Sequence, residues 1–297
     1  MAVICPKCGR QYDVILFDFR DILLCECGYK ISKDDLHRRY VKEADIYVII
    51  PARYAAKRFP GKPLALWQER PLIQHVYECA CKSSLPKAVV IATDDERIAQ
   101  CVEGFGGKVV MTAPDHASGT DRLAEAANLL GLKAEDIIVN VQGDMPYFHP
   151  EIIAEVSQPL LEDPLLPMST LAQRISLKEE IADPNCVKVV FSPTGRAIYF
   201  SRSPIPYDRD KKGITYYKHL GIYGYRKAFL DKFVKLEQTP LEKIEKLEQL
   251  RALEHGYSIF VTETKHTAID VNVPEDLEKL EKVVGEGKEA QGGNNGK

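Results

Sequence analysis

Residues 45–64, DIYVIIPARYAAKRFPGKPL, set a short apolar run against a loop that carries Arg53, Arg58 and Lys62 among Pro51, Pro60, Gly61 and Pro63. The run predicts a buried strand. The proline-stiffened loop at its end predicts an anion site. Three fixed cations suit a ligand with several close negative charges, and a nucleoside triphosphate is the commonest such ligand. The alternative is a solvated basic turn, since charge runs are usually surface. Prolines and glycine interrupt this run and an apolar strand feeds it, which favours the anion site.

The chain then repeats the pattern: AVVIAT at 88–93, KVVM at 108–111 and DIIVNVQ at 136–142 are separated by helix signals at 72–83, after Asp94 and from Asp121. Apolar strands alternating with helices predict an α/β fold, a mostly parallel sheet flanked by helices on both faces. Ligands in such sheets bind beyond the carboxyl ends of the strands. Those ends carry Arg53, Thr93-Asp94 and Gln142-Gly143-Asp144, so the chemistry is expected along one edge. There is no G-x-G-x-x-G after the first strand and no Walker A loop, so side chains must hold any phosphates. Asp144, preceded by Gly143 so that a ligand can approach the backbone, is placed to hold Mg²⁺ against triphosphate oxygens. The alternative is a turn residue ahead of Pro146.

A length of 297 residues, 45% of them apolar, suffices for one large α/β domain and a small accessory module. The net charge of −3 gives no support for nucleic acid or an anionic membrane as partner. No apolar run approaches the ~18–20 residues of a membrane span, and no secretory-signal pattern opens the chain. A cytoplasmic protein without membrane insertion is expected.

Four of the eight cysteines stand in two turns, Cys5-Pro-Lys-Cys8-Gly and Cys25-Glu-Cys27-Gly. Two such turns joined by a hairpin close a tetrahedral Zn²⁺ site, and a segment with so little core needs that staple to fold. The intervening QYDVILFDFRDILL alternates enough to be the hairpin. Free or redox thiols are the alternative, because the second turn is C-x-C rather than C-x-x-C. Cys79, Cys81, Cys101 and Cys186 read as small buried hydrophobes. The expected organisation is a zinc-ribbon-like module at 1–31, a linker helix at 32–44, the large domain at 45–284 and a disordered tail at 285–297.

The stretches IIPARYAAKRFPGKPL, IATDDERIA, DHASGTDRLAE, IIVNVQGDMP, PNCVKVVF, AIYFSRSPIP, KHLGIYGYR, PLEKIEKLEQLRALEHG and VPEDLEKL occur in that order. Together they resemble the 3-deoxy-manno-octulosonate cytidylyltransferase (CMP-Kdo synthetase) family over about 45–284. The resemblance implies a glycosyltransferase-A-like nucleotidyltransferase domain and a homodimer that uses CTP and Mg²⁺. It implies transfer of CMP to the anomeric hydroxyl of an eight-carbon acidic sugar, with release of pyrophosphate, for lipopolysaccharide synthesis. By the same resemblance Arg53, Arg58 and Lys62 hold the triphosphate, the last two stabilising the departing pyrophosphate. Gln142 sits between nucleotide and sugar, and Asp144 is a metal ligand. Arg202 meets the sugar carboxylate, and His219, Tyr223, Glu248 and Gln249 line its hydroxyls. From the residues alone His219 reads as a structural histidine. PLEKIEKLEQLRALEHG reads as one amphipathic helix with Leu241, Ile244, Leu247, Leu250 and Leu253 inward and Glu248 solvated.

Two departures from the family pattern stand out. Asp144-Met145-Pro146 replaces Asp-Glu-Pro, which places an apolar side chain beside the site and bears on which sugar fits. Asp270-Val271-Asn272 precedes the closing stretch where the family has Asp-Thr, so the second metal contact falls to Asp270 or to the Asn272 amide oxygen, with Asp270 preferred. A sialic-type CMP-sugar synthetase shares the basic loop and the acids; HLGIYGYR and SRSPIP argue against it. A ribbon that binds RNA or a partner beside an inactive domain is the remaining alternative. The intact Arg53, Arg58, Lys62 and Asp144 oppose it.

Overall fold

The computed structural model describes residues 2–17, 20–33, 44–55, 59–278 and 280–281. Arg58, most of the expected linker helix at 32–44 and the expected tail at 285–297 lie outside the described residues.

The run that opens 45–64 is the strand Ile46–Ala52, with Val48, Ile49 and Ile50 wholly buried. It pairs in parallel with Ile137–Asn140 on one side and Ala88–Thr93 on the other, and Ala88–Thr93 pairs in parallel with Val109–Met111. Successive side chains of a strand point to opposite faces. Ile49 accordingly joins Leu123, Ala126 and Ala127 of the helix Gly119–Leu129 on one face. Val48 and Ile50 join Ile73 and Val76 of the helix Leu72–Cys81, and Ile152 and Ile153 of Glu151–Glu162, on the other. Each such aliphatic side chain contributes roughly 1.5–3 kcal/mol on burial, which is why a run apolar on both faces seeks the sheet centre.

Beyond Ile137–Asn140 the sheet turns antiparallel through the ten-residue strand Tyr217–Arg226, and nine strands make up the whole. Met168–Arg174 pairs with the outer edge of Tyr217–Arg226, and Ala197–Ser201 forms the far edge of the sheet. The expected sheet flanked by helices is present, with its parallel half carrying the basic loop.

Three expectations need correction. The stretch 240–256 is two helices, Pro240–Glu245 and Gln249–Glu254, broken where Lys246 takes a left-handed φ of 54°. The break has a physical cause in a buried ion pair. Glu242 turns inward and receives Arg251 Nε at 2.9 Å and an Arg251 Nη at 2.6 Å. Ile244, assigned by periodicity to the inner stripe, is therefore 76% exposed. Met145 is 1% exposed within an apolar cluster that includes Phe148 and Ile152, so it faces the core and not a ligand. Of the four scattered cysteines only Cys79 is buried, and Cys81, the last residue of its helix, is exposed.

The N-terminal segment is two hairpins rather than one. Ala2–Ile4 pairs with Gln11–Asp13, and Ile22–Leu24 pairs with Lys30–Ser32, so the ends of QYDVILFDFRDILL belong to different hairpins. Among the described residues between them, Val14–Phe17 forms a 3₁₀ turn. Phe17 is 1% exposed, and the Asp13 carboxylate accepts from Lys232 Nζ and, at 3.2 Å, from the Tyr257 hydroxyl. The hairpins are thereby seated on the large domain.

Candidate active site

Arg53, Lys62, Gln142, Asp144 and Asn272 meet around a cavity of about 390 Å³ at the carboxyl ends of the parallel strands. Lys62 begins a short 3₁₀ turn, Lys62–Leu64, entered through Gly61 at φ 71°. A Cβ on Gly61 would lie 3.1 Å from the Tyr54 ring, so only glycine satisfies both the backbone and the packing. The outer face of Tyr54 is covered by the Arg97 guanidinium, 3.4 Å from the ring centroid. Asp95 holds that guanidinium with hydrogen bonds of 3.0 and 2.6 Å.

Lys62 Nζ donates to Asp144 Oδ2 at 2.7 Å and to the Val271 carbonyl at 2.9 Å. The Val271 amide returns a hydrogen bond of 2.8 Å to the Asp144 carbonyl. Pairing of Tyr147–Phe148 with Ala268–Ile269 brings Asp270 to this place from far along the chain. Gly143 owes its identity to packing, since a Cβ there would come within 2.7 Å of the Pro51 carbonyl oxygen. The space expected for a ligand beside Gly143 is already taken by the strand end.

Asp270 is exposed to solvent, yet crowding by protein and then the Asp144 charge push its carboxyl up to about 7, with Lys62 opposing. A carboxyl raised by folding adds stability that is complete below its ordinary value of 3.8 and is lost as pH climbs through about 7. In thermal melts without added Mg²⁺, wild type should therefore lose stability relative to Asp270→Asn across that window. A difference that stays constant with pH would show that Asp270 does not feel Asp144.

His219, Tyr223 and Glu248 form a second group, with the two rings 5.2 Å apart and the Glu248 charge felt at Tyr223, and it reaches the first through the N-terminus of the helix Gly119–Leu129. Thr120 Oγ1 donates to Glu248 Oε2 at 2.6 Å, and the preceding Ser118 and Gly119 line the cavity. Glu248 is thus not the solvated charge of a plain helix; burial raises its carboxyl above the ordinary value. Burial also raises the Tyr223 phenol and lowers His219 to about 3, which keeps the imidazole neutral. Gln249 is 3% exposed, and its Nε2 has no partner among the described residues. Arg202 is anchored by two main-chain carbonyls. Its Nε donates to the Glu245 carbonyl at 2.7 Å and one Nη to the Pro184 carbonyl at 2.8 Å.

Arg122, His116 and Ser118 line the cavity and were not singled out from the sequence. Arg122 is 5% exposed, with one Nη 2.5 Å from Thr112 Oγ1 and the other 3.1 Å from Asp94 Oδ1. A signal existed in DHASGTDRLAE: Ser118 and Asp121 form a capping box, and an arginine in the first turn opposes the helix dipole. Such a cation needs nearby anions to be tolerated.

In the N-terminal segment the sulfur atoms of Cys5, Cys8, Cys25 and Cys27 all lie within 4.8 Å of one another. The Tyr12 hydroxyl donates to Cys25 Sγ at 3.1 Å and draws that thiol down to about 6. The Arg10 amide works to lower Cys8, but its thiol neighbours, Cys25 foremost, carry it up to about 12. Four sulfurs this close ionise together only around a cation. No helix among the described residues is long and apolar enough to cross a membrane.

The sequence profile described as Cytidylyltransferase matches residues 47–263, which leaves the four cysteines outside it. The chain is 56% identical over 240 residues to a 3-deoxy-manno-octulosonate cytidylyltransferase of Syntrophus aciditrophicus (strain SB), covering 80% of this chain and 97% of the relative. It is 50% identical over 238 residues to an 8-amino-3,8-dideoxy-manno-octulosonate cytidylyltransferase of Shewanella sp. (strain ANA-3), with 80% and 97% covered. Among solved structures it matches CMP:2-keto-3-deoxy-manno-octonic acid synthetase complexed with CTP at a TM-score of 0.77 and 42% identity, over 82% of this chain and 99% of that one. With the profile matched through the whole parallel sheet, and with 97% of each of these two relatives covered at 50% identity or more, the chain belongs to the cytidylyltransferase family.

Proposed function

We propose that the protein transfers CMP from CTP to the anomeric hydroxyl of 3-deoxy-manno-octulosonate, or of an amino-substituted form of that sugar, in lipopolysaccharide synthesis. The observation that carries the reading is the Lys62–Asp144 pair, 2.7 Å apart on a cavity that Arg53 and Gln142 also line. The hydroxyl oxygen gives its proton to solvent and bonds to the α-phosphorus as the bond to the β-phosphate breaks, and pyrophosphate leaves with the electron pair. Catalysis of that kind needs positioning and charge neutralisation and no covalent nucleophile. Arg53 and Lys62, with Arg58 by resemblance, hold the triphosphate, and Lys62 and Arg58 offset the charge of the leaving pyrophosphate. Gln142 lies between nucleotide and sugar. Arg202 takes the sugar carboxylate, and His219, Tyr223, Glu248 and Gln249 take its hydroxyls. The orphaned Nε2 of Gln249 supports that part of the reading.

The donor set beside Lys62 suits Mg²⁺. Asp144, Asp270 and the Asn272 amide supply hard oxygens, and the Asp270 carboxyl is raised first by crowding and then by the Asp144 charge. An ion held by these oxygens would offset phosphate charge and ease deprotonation of the attacking hydroxyl. The four crowded sulfurs suit Zn²⁺ at a closed structural site. We assign the chain a ribbon at 1–31, a linker at 32–44, a transferase domain at 45–284 and a tail at 285–297, acting in the cytoplasm as a homodimer. Supporting the dimer, the edge strand Ala197–Ser201 and the helix Pro240–Glu245 leave Ile198 63% and Ile244 76% exposed, on elements joined by Ser201 Oγ donating to Glu245 at 2.6 Å.

Pyrophosphate release in the presence of Mg²⁺ tests the reaction class. Release is expected with CTP, and not with ATP, GTP or UTP, once 3-deoxy-manno-octulosonate or its 8-amino form is added. Failure with every pair would return the domain to the class of inactive scaffolds.

A further inference from the structure

Thr170 lies on the strand Met168–Arg174, opposite Tyr223. The register then jumps: Leu171 faces Leu220, so Gly221 and Ile222 have no counterpart. Bulges of this kind re-aim side chains and backbone groups, and they are common beside functional sites. Here the irregularity gathers three polar atoms around one hydroxyl. Thr170 Oγ1 is 2.8 Å from the Ile222 carbonyl oxygen, 3.3 Å from the Leu220 carbonyl oxygen and 2.9 Å from His219 Nε2.

A threonine hydroxyl has one proton to give and lone pairs to receive. Two of its three neighbours are carbonyl oxygens, which only accept, so the proton goes to a carbonyl, Ile222 being the nearer. Toward His219 the hydroxyl can then only accept, and Nε2 must be the protonated ring nitrogen. Burial among Phe200, Tyr223 and the strand keeps the ring neutral, so Nδ1 is left as a bare lone pair. Among the described residues no hydrogen bond to Nδ1 is present.

We propose that Thr170 is a positioning residue for the transfer reaction: it fixes His219 as the Nε2–H tautomer, so that Nδ1 meets the acceptor sugar as an acceptor only and selects a donating group, a hydroxyl or an ammonium. The selection rests on His219 lying at the sugar subsite, as proposed above; the tautomer does not. A ring of opposite tautomer would present N–H to the sugar, take the threonine proton at Nε2 and leave neither carbonyl of the bulge with it.

The test uses the full chain labelled with ¹⁵N-histidine. Long-range ¹⁵N–¹H correlation of His219 should show a protonated, pyrrole-type Nε2 and an unprotonated, pyridine-type Nδ1, unchanged from about pH 6 to 9. Thr170→Val should remove that bias and raise KM for the sugar roughly tenfold, with KM for CTP within about twofold of wild type. Thr170→Ser, which keeps the hydroxyl, should restore both the tautomer and the sugar KM. An Nδ1–H ring in wild type overturns the proposal whatever the kinetics show. Equal sugar KM for the Val and Ser variants, both folded, overturns the selection role. Absence of sugar turnover by wild type refutes the functional reading instead, and the spectrum still decides the tautomer.

Discussion

Asp144→Asn is expected to reduce CMP transfer on the order of a thousandfold while leaving the fold in place. The carboxylate stands on the cavity with Lys62 Nζ at 2.7 Å, and Val271, next to Asp270, is hydrogen-bonded to its backbone. An amide keeps the shape and the hydrogen bond capacity but removes the charge that would hold the proposed Mg²⁺. Stability should not suffer. After crowding by protein, the negative charge of Asp144 is the largest cause that raises Asp270, so its loss relieves that carboxyl and offsets the weakened pairing with Lys62. Steady-state kinetics with thermal melts on the same preparation check both halves. A variant with near-wild-type turnover would remove Asp144 from the metal site, and one that fails to fold would place it among structural residues.

Cys25→Ser is expected to abolish metal binding by the N-terminal segment and to unfold it locally, with kcat changed by less than about twofold. Structural zinc sites contribute about 10–16 kcal/mol to folding in small domains, so a ribbon of short hairpins has little to hold it without the ion. Cys25 is the thiol drawn down to about 6 by Tyr12, and it sits within 3.5 Å of Cys8 and 3.3 Å of Cys27. The segment meets the large domain through Asp13 at Lys232 and Tyr257, whereas the cavity is lined by strand ends and the basic loop. Metal analysis should fall from one zinc per chain to none, and an early, chelator-sensitive melting step should disappear. Unchanged zinc content in the variant would show that the four sulfurs do not bind as a set.

The parallel half of the sheet was legible because buried parallel strands are continuous apolar runs, and Ile46–Ala52, Ala88–Thr93 and Ile137–Asn140 are such runs. That Arg53, Gln142 and Asp144 line one cavity was legible for a related reason: polar residues close after such strands have one place to go. Residues whose role depends on long-range contacts were not. Arg122 reads as a helix-surface cation until Thr112 and Asp94 are brought beside it. The helix break at Lys246 follows from the Glu242–Arg251 pair, which competes with the apolar stripe that periodicity counts. Met145 follows a polar turn in sequence, but its side chain is drawn into the core beside Phe148. The tautomer of His219 depends on a register shift between two strands, and no local pattern marks it.

The central claim, cytidylyl transfer to an eight-carbon acidic sugar, is tested most directly by identifying the product. Incubation with CTP, Mg²⁺ and equal amounts of 3-deoxy-manno-octulosonate, its 8-amino form and N-acetylneuraminate, followed by ³¹P NMR and mass spectrometry, should yield pyrophosphate and one phosphodiester. That diester should join CMP to an octulosonate. Formation of CMP-N-acetylneuraminate alone, or of no phosphodiester with any of the three sugars, would contradict the account.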